Sequence, residues 1–130
     1  MASSFLGAMK ILRAQVDEFV QRTQESFREL MCAIVRERYP EKTGAMTDED
    51  LRALIDESMK TAHGYGIELE GDVEAYIHIL FQRGFDFDRV IPWARDILNR
   101  EGWSGRIRID LLRAAHEGRI PGPGGGLFFP

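Results

Sequence analysis

The apolar positions at the start of the chain follow a helical rule. Phe5, Met9, Leu12, Val16 and Phe19 recur at alternating spacings of four and three, and the line resumes after Thr23 through Phe27, Leu30 and Ile34. Residues at that period share one stripe of an α-helix, close to a heptad seam. A second row, Leu6, Val20, Phe27, Met31 and Val35, widens the stripe beyond a simple two-stranded seam. From Ser4 to Arg38 there is no proline and only Gly7 among glycines, so one helix over about 4–38 is predicted. At 1.5 Å per residue it runs about 50 Å, whereas a domain of this size has a radius of gyration of roughly 14 Å. Its N-terminal turns are therefore expected to overhang, fray or pack on a partner. Pro40 ends it by biasing Tyr39 away from helical angles.

Four shorter helices follow. Thr47 is a natural N-cap, with Asp48, Glu49 and Asp50 placed where the helix dipole favours carboxylates. Leu51, Leu54, Ile55, Met59 and Ala62 then share a face up to about His63, and Gly64 and Gly66 stop it. A third helix reads from Glu70 to Arg83 with Val73, Tyr76, Ile77, Leu80 and Phe81 inward, ending at Gly84. A fourth is expected over Arg89–Arg100, with Pro92 in its first turn and Trp93, Ala94, Ile97 and Leu98 inward. Ser104 caps a fifth, Gly105–Glu117, which carries Ile107, Leu111, Leu112 and Ala115. Nothing sustains a period of two. The predicted class is all-α: about five helices, with a long amphipathic first helix on a bundle of shorter ones.

Length and composition add limits. The chain has 130 residues, 44% of them apolar, with a net charge of −4, which suits one domain, placed at 1–118. Residues 119–130, RIPGPGGGLFFP, form a Gly/Pro-rich tail in which neither helix nor central strand is expected. Its Leu127, Phe128 and Phe129 could dock in a partner groove or fold back. A single cysteine, Cys32, forms no intramolecular disulfide or Cys-based zinc site. No apolar run reaches the roughly 18 residues of a membrane span, and the N-terminus reads as a poor signal peptide. A cytoplasmic protein is expected.

The charge is unevenly spread. Residues 1–40 carry 6 basic and 5 acidic side chains, residues 41–78 carry 3 and 10, and residues 79–119 carry 8 and 6. The acidic middle third is expected to present one charged face toward a basic partner.

Catalytic chemistry finds little support. Asp86 and Asp88 could share a proton or a cation, but aspartates so placed more often cap turns. Glu68, Glu70, Asp72 and Glu74 lack the glycine and closing glutamate of a calcium loop. His63, His78 and His116 are isolated, with no zinc pattern. Cys32 has no neighbouring histidine or helix N-terminus to activate it. Arg106, Arg108 and Arg113 faintly suggest a DNA-reading helix, but Asp110 interrupts any basic stripe. Elimination leaves protein recognition, in which aromatic anchors such as Trp103, Tyr65 and Tyr39 would serve. No catalytic residue, metal or cofactor is expected.

At RYPEK, LRALI, YGIELEGDVEAYIHIL, GFDFD and IPWARDIL the chain resembles a family of small helical bacterial proteins. Their genes stand beside those of type VI secretion spikes or polymorphic toxins. The matching positions are Tyr39, Pro40, Glu41, Tyr65, Gly66, Ile67, Asp72, Val73, Tyr76, Ile77, Asp86, Phe87, Asp88, Pro92, Trp93 and Ala94. The resemblance implies a non-enzymatic accessory of a secreted effector: a chaperone, co-chaperone or adaptor that binds the toxin or its chaperone. An immunity protein is the alternative, and a DNA-binding regulator a more distant one. Candidate partner-binding residues are Leu12, Phe19, Tyr65, Glu68, Glu70, Asp72, Trp103, Leu127, Phe128 and Phe129. A homodimer through the first helix is a further expectation. Neither nucleic acid nor membrane is expected as a partner.

Overall fold

The computed structural model describes residues 2–119, with side chains from residue 5 onward. Its elements are α1 (Ala2–Arg38), α2 (Pro40–Thr43), α3 (Asp48–Gly64), α4 (Glu70–Arg83), α5 (Phe87–Val90), α6 (Pro92–Leu98) and α7 (Gly105–His116). All are α-helices, as the periodicity predicts. The structure has seven rather than five among the described residues, and both additions come from proline.

Pro40 does end α1, leaving Tyr39 at φ −128°, ψ 57°, but it then occupies the first turn of the short α2. Pro92 does the same to the predicted fourth helix. Ile91 is pushed to φ −85°, ψ 116°, so the segment breaks into α5 and α6. A proline lacks the N–H an interior turn requires and restricts the residue before it. It therefore starts a new helix more readily than it continues one. The two predicted hydroxyl caps are made: Thr47 accepts from the Asp50 N–H at 3.0 Å and Ser104 from the Ile107 N–H at 3.2 Å.

The core centres on α4, which packs against α1, α3 and α7. Tyr76, Ile77 and Phe81 are fully buried along it. Ile55 of α3, Ile97 of α6 and Ile109 and Leu112 of α7 close around them. From α1 the body takes only the C-terminal end of the second apolar row: Phe27, Met31 and Val35 are buried, while Leu30 of the first row stays 55% exposed. The division runs along the helix rather than between the rows, since Leu6 and Val20 of the second row are exposed and Ile34 of the first packs against the core. Arg36 secures the turn after α1, donating to the Thr43 and Met46 carbonyls at 2.9 Å each and to Asp48 at 2.8 Å.

A polar chain ties the junction between α1 and α2 to α7 across α4. Arg83 Nε donates to His116 Nδ1 at 2.9 Å. A guanidinium only donates, so His116 carries its proton on Nε2 and donates it to the Gln82 side-chain oxygen. The Gln82 amide donates to the Tyr39 hydroxyl at 3.2 Å, which is left to donate to His78 Nδ1 at 2.7 Å. Both imidazoles are neutral in this direction of travel. Burial is the main push lowering both; at His116 Arg83 adds to it against a smaller upward pull from Glu117, and at His78 Glu74 pulls upward while Arg38 adds a smaller downward push. In the unfolded chain both titrate near pH 6.5. As pH falls through that value the unfolded state takes up protons first, so this stabilisation is present above it and is lost below. Melting temperature is expected to drop between about pH 6.5 and 5, and a His78→Gln, His116→Gln double variant to show a flatter profile over that range. An unchanged slope would remove the histidines from the account.

Candidate protein-binding surface

From Phe5 to Ser26 every residue but Gly7 is exposed, and full burial begins only at Phe27. The overhang predicted from helix length is therefore present. Along it Phe5 is 66% exposed, Leu12 54% and Phe19 70%, with Leu6, Met9, Val16 and Val20 beside them. A contiguous apolar strip of this kind on a monomer marks an interaction site. Most of the exposed large apolar side chains among the described residues lie on this part of α1.

Where this blade leaves the body it forms an axil. A cleft of about 210 Å³ is bounded by Phe19, Val20 and Phe27 of α1, Met59 and His63 of α3, and Val73 of α4. Glu68 and Glu70 stand on its rim. The volume is below the roughly 300–1,000 Å³ of small-molecule sites, and suits an inserted apolar side chain. Phe19, Glu68 and Glu70, widely separated in sequence, are brought together here. Val20, Met59 and Val73 were missed as site residues, because each belongs to a different helix and no periodicity links them.

The other candidates lie elsewhere. Leu12 sits on the blade, outside the cleft. Tyr65 is half-buried; its hydroxyl donates to Asp88 at 2.7 Å, and its carbonyl accepts from Arg108 at 2.8 Å. Burial first, then the bond to Asp88, pushes its phenol up to about 12. Trp103 is half-buried under the Arg100 guanidinium, 4.9 Å from its ring centroid. Tyr39 stacks on Phe81, with ring centroids 5.4 Å apart. These aromatics are joints of the fold rather than free anchors. Leu127, Phe128 and Phe129 lie outside the described residues.

Asp72 is turned inward, its side chain 7% exposed and paired with Arg106 at 2.8 Å. The acidic third is not a single face. Asp48 pairs with Arg36, Asp56 with Arg28 and Asp72 with Arg106, tying α3 and α4 to α1 and α7. The arginines of α7 are similarly engaged: Arg106 with Asp72 and Asp110, and Arg108 with the Tyr65 and Arg100 carbonyls. Asp88 does not cap a helix but receives the Tyr65 hydroxyl, and Asp86 makes no side-chain cap at α5.

Among the described residues no group of three His, Cys, Asp or Glu side chains is placed to hold a metal ion, and no helix is long and apolar enough to cross a membrane. Burial pushes the Cys32 thiol up, away from the thiolate that reactive cysteines need. The arrangement offers an apolar blade with a socket at its root and carboxylates at the socket's rim. Comparison with known proteins finds no matching family model, curated protein or solved structure, so the surface is interpreted from its own geometry.

Proposed function

We propose that the chain is a non-enzymatic protein-binding module whose recognition element is the projecting half of α1. Its biological setting is that of an accessory (chaperone, co-chaperone or adaptor) to a type VI secretion effector. The observation that carries the binding role is the exposed stripe from Phe5 to Val20, on a helix that outruns its own core. At roughly 100 Å² of exposed surface per side chain, its seven apolar residues present about 700 Å², above the largest patch of a typical monomer. The secretion setting rests on the motif resemblance through RYPEK and IPWARDIL.

The test is co-expression with the toxin and chaperone encoded beside this gene. A complex is expected on size-exclusion chromatography, lost in Leu12→Glu, Phe19→Glu with unchanged circular dichroism of the free protein. Deletion is expected to stop effector secretion. No complex with either neighbour overturns the module reading. Rescue of toxin-expressing cells by this protein alone moves it to the immunity class.

A further inference from the structure

In the free protein, we infer that the blade of α1 is covered by the same blade of a second copy, running antiparallel. This rests on the stripe being the recognition element and names what occupies it before any effector does.

Two features share one midpoint. The overhang runs from Ala2 to Ser26, centred on position 14. The seam positions 5, 9, 12, 16, 19 and 23, apolar except for Thr23, are symmetric about the same point. A two-fold axis there sets Met9 against the second copy's Phe19 and Leu12 against its Val16, so apolar meets apolar at the four inner seam positions, while Phe5 comes to the height of Thr23. Ala2 of each copy arrives beside Ser26 of the other, using the whole overhang and stopping where the body begins.

Charge selects the direction. At 100° per residue, Lys10, Arg13 and Asp17 lie on one flank of the stripe. They make no ion pair among the described residues, whereas Glu18 and Arg22 pair with each other on the far side. In an antiparallel two-fold pair each flank meets its own copy, which brings Lys10 and Arg13 alongside the second copy's Asp17. A parallel pair sets this flank against the opposite one and loses that match.

The socket is explained as well. It is centred near position 23 of α1, and the antiparallel register delivers Phe5 and Leu6 of the second copy to that height. Two apolar side chains would fill the cleft between Phe19, Phe27, Met59 and Val73. The incoming helix N-terminus, with no acidic residue in its first turn, comes up to Glu70, the sign its dipole favours. The ~700 Å² exposed on each stripe is the most that pairing can bury there, just under the ~800 Å² per partner of a standard interface.

The test uses the full chain in sedimentation velocity and light scattering at micromolar concentration. A mass of twice 14.8 kDa is expected. Lys10→Glu, Arg13→Glu and, separately, Asp17→Lys are each expected to weaken the dimer at least tenfold. Mixing the two variants is expected to restore it, because acidic and basic flanks then meet. Phe5→Ala, Leu6→Ala should weaken it without altering the helical signal of the body. A monomeric wild-type chain, or a dimer indifferent to both charge reversals, overturns the pairing. A monomer that still captures its effector removes the pairing and leaves the module reading standing. A dimer that captures none does the reverse.

Discussion

Gly105→Ala is expected to lower stability by about 3 kcal/mol, the upper end of ordinary overpacking penalties. Gly105 opens α7 and lies against Gly66 in the connection between α3 and α4. A Cβ there would stand 1.8 Å from the Gly66 carbonyl oxygen and 2.1 Å from its carbon. Neither atom belongs to a side chain that could swing away. Gly66 is also bound to its turn, at φ +82°, with its N–H donating to the His63 carbonyl at 2.9 Å. Relief requires α7 to withdraw, which stretches the Arg108 bonds to the Tyr65 and Arg100 carbonyls. For a chain of this length such a loss lowers the melting temperature by roughly 10 °C. Gly64→Ala, where an added Cβ meets nothing within 4 Å, is the control and should change little. Equal melting temperatures for the two variants would refute the close-approach account.

Phe87→Ala is expected to cost about 4 kcal/mol, within the range for truncating a buried aromatic. Phe87 is fully buried although it belongs to a helix of only four residues. One turn cannot hold itself together in water, since a short helix does not repay its nucleation. Its order therefore comes from Phe87, which packs on Tyr76 with ring centroids 5.2 Å apart. The next residue, Asp88, is only 8% exposed and receives the Tyr65 hydroxyl. Loss of the anchor releases both ends of that bond, so α5 and the connection after α3 loosen together. Urea denaturation measures the loss, and hydrogen exchange should show α5 unprotected before the rest of the core. A cost below about 1 kcal/mol, the scale of an ordinary surface change, would show that α5 is held by something else.

Much of this architecture is local and therefore legible. The apolar spacing predicted a helix to Arg38 and an overhang, because period and length depend only on the residues in the helix itself. Thr47 and Ser104 cap where expected because a cap needs only the next three residues. The two additional helices have a local cause as well, in that Pro40 and Pro92 each begin a helix as well as interrupt one. The candidates Phe19, Glu68 and Glu70 share the socket at the root of the blade, and Leu12 lies on the blade itself.

The tertiary structure decided what those patterns leave open. Asp72, Asp56 and Asp48 look in sequence like one acidic face, yet each meets an arginine 12 to 34 residues away. Tyr65 and Tyr39 look like free anchors until the partners 23 and 39 residues on, Asp88 and His78, are in place. The two apolar rows of α1 are indistinguishable by composition. Only packing shows that Phe27, Met31 and Val35 belong to the body and that the stripe from Phe5 to Phe19 stays exposed. A helix's own sequence sets its faces, but which face is covered depends on where the other helices come to lie.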